Sequence, residues 1–531
     1  MNLPGMERLG DWNPQFLREL KGHLKTRNLA IAIGVSLLGQ FLLVMYFYEL
    51  LNLDDTYSSF CVRNSNYNCR LDAVGQIIID WQQWWQTLFG VLNWILPLIL
   101  LLAGVYMIIS DLGKEERRGT LNFIRLSPQS SQSILTGKIL GVPILLYLGV
   151  ALALPLHLWS AVSAGVPFSF LVSFYLLSGA SYCFFYSAAL LYGFLSGFQA
   201  WLASFLTFVF ALPLLNVINS SVYLFTQANF DWSDSGRYSL QWFYIPIGSN
   251  LLLGDAFAIL NFGLWTYWIW QALNRRFSNA NATIISKKQS YWIVACFELL
   301  LLGFCLQNNN LNPARFAESG SLWGVLFIIE TVNLLWFLGL IAVLSPHRQA
   351  LQDWARYRRE KVSNRKGFWS NLMQDLLWDE KSPSLVAVAV NLGIKTVIWG
   401  AWILSWPQNS DKISAILGLI LSLNWILILA GIAQTQRSLW ASITVTALIV
   451  FPPTFFSLLS MPFYQSSGVW LLTAFPWIAV KEASAIPVFL TILGQWSATT
   501  LLSLQLTRQM RLAGESPSKA IFANRPSLPA R

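Results

Sequence analysis

The sequence predicts an all-α, polytopic membrane protein with about twelve transmembrane helices in two repeated six-helix halves, and three observations carry that expectation. Hydrophobic residues make up 55% of the 531, charged residues only 11% and aromatic residues 15%, whereas an average globular domain carries about 25% charged residues. Apolar runs recur that can supply the roughly 20 helical residues needed to cross a bilayer core. The Lys and Arg residues behind the net charge of +10 collect in alternate polar segments, where such charges set topology and meet anionic lipid headgroups. A lipid bilayer is therefore the expected partner of the basic surface, and nucleic acid is not.

The opening residues, MNLPGMERLGDWNPQ, are polar and hold no apolar core followed by a small-residue cleavage site, so the first span is expected to act as the signal. Asn13-Pro14 reads as a helix start, a capping Asn with Pro at the first helical position. Behind it Phe16, Leu17, Leu20 and Leu24 share one face, and Arg18, Lys21, Lys25 and Arg27 fall mostly on the other. That pattern predicts an interfacial helix on the inner leaflet, or else an extra turn on the first span.

Spans are expected at 28–50 and 87–110, separated by a polar segment at 51–86. This segment holds Cys61 and Cys69, for which an oxidising compartment would permit a disulfide, although spacing alone does not fix the geometry. Its aromatic end, with Trp81, Trp84 and Trp85, belongs at the outer membrane interface, and Trp232, Trp242 and Tyr244 are read as a similar interfacial helix. Further spans are expected at 138–160, 168–191, 198–218 and 249–272, then at 290–306, 321–344, 386–406, 412–434, 438–459 and 484–507. Basic residues after the second and sixth runs, in 347–366 and in the tail place both termini on the cytoplasmic side. The expected membrane is the inner, plasma membrane of the cell.

The two sets of six spans read as one plan used twice. LSPQSSQSILTGK leads into the third span and KSPSLVAVAVNLGIK into the ninth, which aligns Ser127-Pro128 with Ser382-Pro383 and Lys138 with Lys395. FYIPIG before the sixth span matches AFPWIA before the twelfth, and Ser286-Lys287 matches Ser518-Lys519. The halves are bounded as 1–289, with a coupling segment at 113–136, and 290–510, with a segment at 346–384; a tail follows at 511–531.

The stretch EERRGTLNFIRLSPQSSQSILTGK resembles the segment after the second span of permease subunits of ATP-binding-cassette (ABC) exporters of the type-2 class. There an acidic-basic pair precedes Gly-Thr-Leu, then Ser-Pro, then Gly-Lys at the start of the third span. The resemblance takes in the basic amphipathic opening and residues 12–290, and it is looser beyond. It implies a cytoplasmic coupling helix that docks on an ATPase subunit, with Glu115, Glu116, Arg117, Arg118, Gly119, Thr120 and Leu121 as contacts. In the second half, Asp379 and Glu380 stand where that pattern lacks its Gly-Thr-Leu element, which implies asymmetric coupling. The family also implies a short re-entrant helix near the outer exit, in the segment before the sixth span that holds Trp232, Trp242 and Tyr244.

Residue chemistry is compatible with that role. Gly119-Thr120 breaks a charged run and can start a helix on which Leu121, Ile124 and Leu126 make an apolar edge beside Arg125. Ser127-Pro128 favours a turn, and Lys138 sits where an ammonium can snorkel to the interface. The alternative is a solvated loop whose basic residues only hold topology. No G-x-x-x-x-G-K-[ST] occurs, so nucleotide hydrolysis must come from a separate ABC ATPase subunit, expected in two copies. The chain is expected to be a transporter subunit and not itself an enzyme, to bind no cofactor directly, and to rely on ATP used by that partner.

Within the spans, Glu298 and Glu330 lie near mid-depth, where a charge costs roughly 3 kcal/mol or more unless paired or neutralised. They read either as a proton or substrate site, or as protonated groups hydrogen-bonded to Asn333 or a neighbouring helix. His157 and Asp255 read as interfacial, and Cys183, Cys296 and Cys305 as packing residues. The three His, at 23, 157 and 347, are separated by whole spans, and no metal motif is formed. A secondary transporter using Glu298 and Glu330, or a non-transporting membrane scaffold, are the other functional classes these features allow.

Overall fold

The computed structural model describes residues 6–51, 60–62, 69–70, 72, 77–195, 199–226, 241–248, 251–279, 282–306, 321–362, 368–406, 409–436, 438–459 and 466–513. Trp232, Ser518 and Lys519, named above, lie outside them, as does the tail beyond Ala513. Among the described residues the protein is all-α, with no strand longer than an isolated bridge. Helices are the expected answer to a hydrocarbon solvent, because each backbone N–H and C=O must find its partner within the segment.

The chain divides into two compact units, Met1–Tyr238 with Ile247–Ser278, and Ser239–Pro246 with Asn279–Arg531. The division falls at 278/279 rather than 289/290, because Ser286 caps the next helix and Gln289 completes a reciprocal capping box with it, so the chain is already committed to the second unit there.

The first unit contains α1 (Met6–Trp12), α2 (Pro14–His23), α3 (Thr26–Glu49), α4 (Trp81–Arg117), α5 (Thr120–Arg125), α6 (Ser131–Gly141), α7 (Ile144–Ser163), α8 (Phe168–Leu195), α9 (Ala200–Thr226) and α10 (Leu251–Ser278). The second contains α11 (Lys287–Cys305), α12 (Ser321–Leu344), α13 (Arg348–Val362), α14 (Phe368–Trp378), α15 (Leu385–Leu404), α16 (Asn409–Thr435), α17 (Ser438–Leu458), α18 (Ser467–Trp470), a 3₁₀ turn (Pro476–Ile478) and α19 (Ala485–Ala513). Twelve of these, α3, α4, α7 to α12, α15 to α17 and α19, are long and apolar enough to cross a membrane. The protein is an all-α, multi-pass membrane protein. Val35, Phe41, Trp201 and Leu260 are among the large apolar side chains left exposed along these helices.

Several helix pairings recur in both units. The first span packs on the third (α3 on α7, α11 on α15), the second on the fourth (α4 on α8, α12 on α16), and the fourth on the sixth (α8 on α10, α16 on α19). Local chemistry accounts for several details. Asp80 caps α4 by accepting from Gln83 N, so Trp81, Trp84 and Trp85 form the first turns of the second span and not a separate interfacial element. Trp84 is buried and donates its indole N–H to Phe47 O at 2.9 Å. The third span is α7 alone and begins after Pro143, later than the expected 138, because proline separates it from α6 by lacking the N–H that would continue the ladder.

Before the final span of each half the two segments differ. AFPWIA forms the 3₁₀ turn, with Trp477 and Ala479 buried. Trp242 and Tyr244 do not form a helix. Trp242 and Ile245 exchange both backbone hydrogen bonds, at 2.9 and 3.0 Å, around Phe243 (φ 47°) and Tyr244 (φ 64°). This left-handed pair is rare outside Gly, Asn and Asp and costs of order 1–3 kcal/mol per residue. The end of α11 offsets that cost: Phe243 N–H donates to Gly303 O and Tyr244 N–H to Leu306 O, satisfying terminal carbonyls that a helix leaves open. Hence Ser239–Pro246 belongs to the second unit.

Close approach at Gly104 fixes α8 on α4. The Tyr186 phenol lies where a Gly104 side chain would stand, and its hydroxyl donates to Leu100 O at 2.6 Å. Gly104→Val should expel the ring and lower stability by about 1–3 kcal/mol, read as a fall in the thermal midpoint of the purified chain in detergent, with Gly90→Val, where the added group meets open space, left nearly unchanged.

Candidate functional site

The second span runs past its apolar stretch to a charged end, Asp111 to Arg117, and stops at Gly119. Gly119 has φ 71°, the left-handed position at which glycine ends helices without a Cβ penalty. The chain turns there into α5, and Thr120 Oγ1 donates back to Glu115 O at 3.2 Å. Leu121 and Ile124 of α5 are buried in one apolar cluster with Ile108 and Leu112 of α4, Leu135 of α6, Leu190 of α8 and Phe277 of α10. The Arg125 guanidinium lies over the rings of Phe194 and Phe277, 5.6 and 5.8 Å from their centroids, within cation–π range.

The opposite side of α5 is bare. Phe123 is 79% exposed and Leu126 86%, beside exposed Glu116, Arg117 and Arg118. This divides the expected contact residues. Glu116, Arg117, Arg118 and Gly119 are surface groups and Thr120 is half-buried, but Glu115 and Leu121 are buried and unavailable to a docking partner. The apolar edge expected from Leu121, Ile124 and Leu126 is likewise split, because at helical spacing Leu126 falls past the end of α5 and turns outward. Phe123 was not singled out; its place two residues after Leu121, on the far side of a helix, was the available signal.

Behind this knob is an ion cluster. Lys138 Nζ lies 2.8 Å from Asp111 Oδ2, 2.8 Å from Glu115 Oε2 and 3.4 Å from Glu19 Oε1. Arg18 closes on Glu115 Oε1 at 2.9 Å, and Gln15 donates to Glu19 Oε1 at 2.6 Å. Burial draws the Lys138 ammonium down, and Asp111, Glu19 and Glu115 outweigh it, leaving its pKa above the ordinary lysine value. Lys138 therefore does not snorkel to the interface. Nor does α2 bury a purely apolar face: Gln15 and Glu19 are buried with Leu20, because the charge they meet on α6 lies inside.

The Gly-Lys of the motif has a physical reason in this packing. A Cβ at Gly137 would meet Asn13 Oδ1 and Phe16 N at 2.8 Å, so its absence lets the start of α2 lie against α6. Asn13 is used twice, accepting from Phe16 N at 2.9 Å as the helix cap and donating to Ser133 O at 2.7 Å. Glu19, His23 and Asp111 also bring ligand-type atoms within 4.8 Å of one another, a grouping hidden in the sequence because Asp111 lies far from the other two. Lys138 already supplies the positive charge there.

The second unit has a different construction. Helices α13 and α14 lie within 346–384, and among the described residues there no glycine is left-handed. Lys287 Nζ donates to Leu376 O, Ser382 Oγ and Pro383 O at 2.7, 2.5 and 3.1 Å, and Tyr291 OH donates to Leu377 O at 2.9 Å. Asp379 and Glu380 are half-buried and lie toward Lys287, while Met373 and Trp378 are exposed.

Deeper in this unit Glu330 accepts from Lys395 Nζ at 2.7 Å and Glu298 accepts from Trp399 Nε1 at 2.7 Å. Both carboxylates, Lys395, Trp399 and Asn333 are buried. Lys395 and Trp399 were not read as partners of these acids, since the pairing joins three spans. In the first unit His157 is fully buried and bonded to Tyr175 OH at 2.7 Å and Asn93 Oδ1 at 2.8 Å, not interfacial. Asp255 is half-buried. Cys61 and Cys69 form a disulfide with Cα atoms 5.4 Å apart; Cys183 is exposed, and Cys296 and Cys305 are half-buried. No protein family, curated protein or solved structure matches this chain.

Replacing Lys138 by Met would leave Asp111, Glu115 and Glu19 facing one another, at a cost of about 3–5 kcal/mol for a broken buried pair. The expected result is a large fall in thermal stability and faster proteolysis of α2. Adding Glu19→Gln and Glu115→Gln to Lys138→Met should recover much of the loss.

Proposed function

We propose that this chain is the membrane permease of an ATP-driven export system of the ABC type-2 class, powered by a separate ATPase subunit, expected in two copies. In this reading the protein lies in the plasma membrane with both termini in the cytoplasm, and one chain supplies both six-span halves by duplication. The observation that carries it is α5, a short helix whose inner face is fixed in the core through Leu121 and Ile124 while Phe123 and Leu126 stand free. An exposed apolar pair rimmed by Glu116, Arg117 and Arg118 is the anatomy of a small docking surface, apolar at its centre and charged at its edge. Force applied to Phe123 would pass through Leu121 and Ile124 into α4 and α10 without bending a loop.

The chain holds no phosphate-binding loop of its own, which supports a division of labour with a nucleotide-binding partner. The second segment supports a weaker contact. Asp379 and Glu380 lie toward Lys287, and the segment lacks the Gly-Thr-Leu element in its sequence.

Phe123→Asp with Leu126→Asp should leave the thermal midpoint within about 0.5 kcal/mol of its original stability, as expected of exposed positions, yet abolish co-purification of an ATPase subunit and ATP-dependent transport. Charge reversal at Glu116 should weaken that association more than the same change at Glu380. An ATPase that co-elutes undiminished with the Phe123 and Leu126 variant would remove α5 as the docking element.

A further inference from the structure

In the second unit α11, α12 and α15 bury one ammonium, two carboxylates, an amide and an indole together. Lys395, Glu298 and Asn333 have no exposed surface, and Trp399 and Glu330 have 1% and 2%. Two contacts are made, Lys395 Nζ to Glu330 Oε2 and Trp399 Nε1 to Glu298 Oε2, each at 2.7 Å. Four polar atoms are left over. Glu298 Oε1, Glu330 Oε1 and both amide atoms of Asn333 have no hydrogen-bond partner among the described residues. The charged groups that face Glu298 are Lys395 from α15 and Glu330 from α12, and Asn333 faces it from α12.

Fully ionised, this group carries two negative charges against one positive. An uncompensated charge inside a span costs roughly 3 kcal/mol or more, and unsatisfied buried polar atoms add roughly 1–3 kcal/mol each. One proton on Glu298 Oε1 removes the net charge and lets that oxygen donate to Asn333 Oδ1. Glu330 is the worse acceptor of that proton because the Lys395 ammonium contacts it directly at 2.7 Å, whereas the hydrogen bond that Glu298 accepts comes from a neutral indole. A hard metal cation suits the place poorly. It would face the same ammonium with three free oxygens, where such ions take six or more.

We propose that Glu298, Asn333 and the Glu330–Lys395 pair form a proton-binding site holding one exchangeable proton on Glu298. The binding step transfers a proton from hydronium to the carboxylate and releases water, with no other bond changed. Separation of Glu330 from Lys395 would free the ammonium for Glu298 and displace its proton, to Glu330 where that carboxyl stays buried or to water where Glu330 becomes hydrated, so the proton's place is tied to the packing of α12 against α15. This site is independent of any ATPase contact.

Infrared difference spectroscopy of the full chain in lipid nanodiscs at neutral pH, in H₂O and in D₂O, tests the assignment. The wild type should show the carbonyl stretch of an un-ionised carboxyl group, shifted in D₂O. Glu298→Gln should lose this band. Glu330→Gln should lose it too, because Glu298 then serves Lys395 as a carboxylate, while Glu330→Gln combined with Lys395→Met should keep it. A wild-type spectrum without the band, a band unchanged in Glu298→Gln, or a band removed by sodium at constant pH would overturn the proposal. Should the single variants fail size-exclusion checks, ¹³C-glutamate labelling of the wild type decides: the band must shift, and an unshifted band assigns the proton elsewhere.

Discussion

An ammonium group taken out of water must be compensated where it lies, and this requirement organises both units. Lys138, on α6, draws α2 and α4 to it because Glu19 arrives from α2 and Asp111 and Glu115 from α4. Lys287 holds the segment after α14 to the start of α11 through two backbone carbonyls and Ser382. Lys395 ties α15 to α12 through Glu330. Burial of each charge is costly, so the helices that carry its partners cannot separate without paying the full desolvation penalty. Apolar packing supplies most of the contact area but is less selective, since lipid tails are as apolar as leucine.

The same requirement explains what could be read from the sequence. Helix number and placement were legible because span length and hydrophobicity are local properties, and the start of α2 was legible because Asn13-Pro14 is a local signal. Pairings across the chain were not. Lys138 and Lys395 each look like a lone lysine near or in an apolar run, and only the packed helices bring Glu19 or Glu330 to them. Burial of Glu115 and Leu121 was hidden for a related reason: α5 is six residues long, too short for periodicity to say which side faces inward. The strained turn at Phe243 and Tyr244 had no composition signal, because its stabilisation comes from the end of α11.

Charge placement also gives the two units different mechanical characters. In the first, the ions lie between α2 and the ends of α4 and α6, and the free apolar groups Phe123 and Leu126 project from a helix whose other face is core. A displacement there meets a stiff support, since neither the Gly119 corner nor the Lys138 cluster can yield cheaply. The second unit places its strongest ion pair within the spans, between α12 and α15, and gives its connecting segment two helices with a half-buried acidic link. Force arriving at Trp378 would reach α11 through carbonyl hydrogen bonds to one lysine side chain, a more compliant path.

That contrast bears on why a chain would retain two buried carboxylates with one lysine in the compliant unit. A neutral replacement of the whole group would be no less stable by the usual comparison of buried ion pairs with apolar packing. Retention of Glu298 beside Glu330 and Lys395 therefore needs a reason other than stability. A carboxylate that can either hold a proton or take over the ammonium offers two arrangements of the same three helices, both neutral when the proton passes between Glu298 and Glu330 as the ammonium changes partner. A polar centre with two packings of α11, α12 and α15 is the kind of element into which a helix rearrangement can move, because packed cores switch between discrete arrangements rather than deforming continuously.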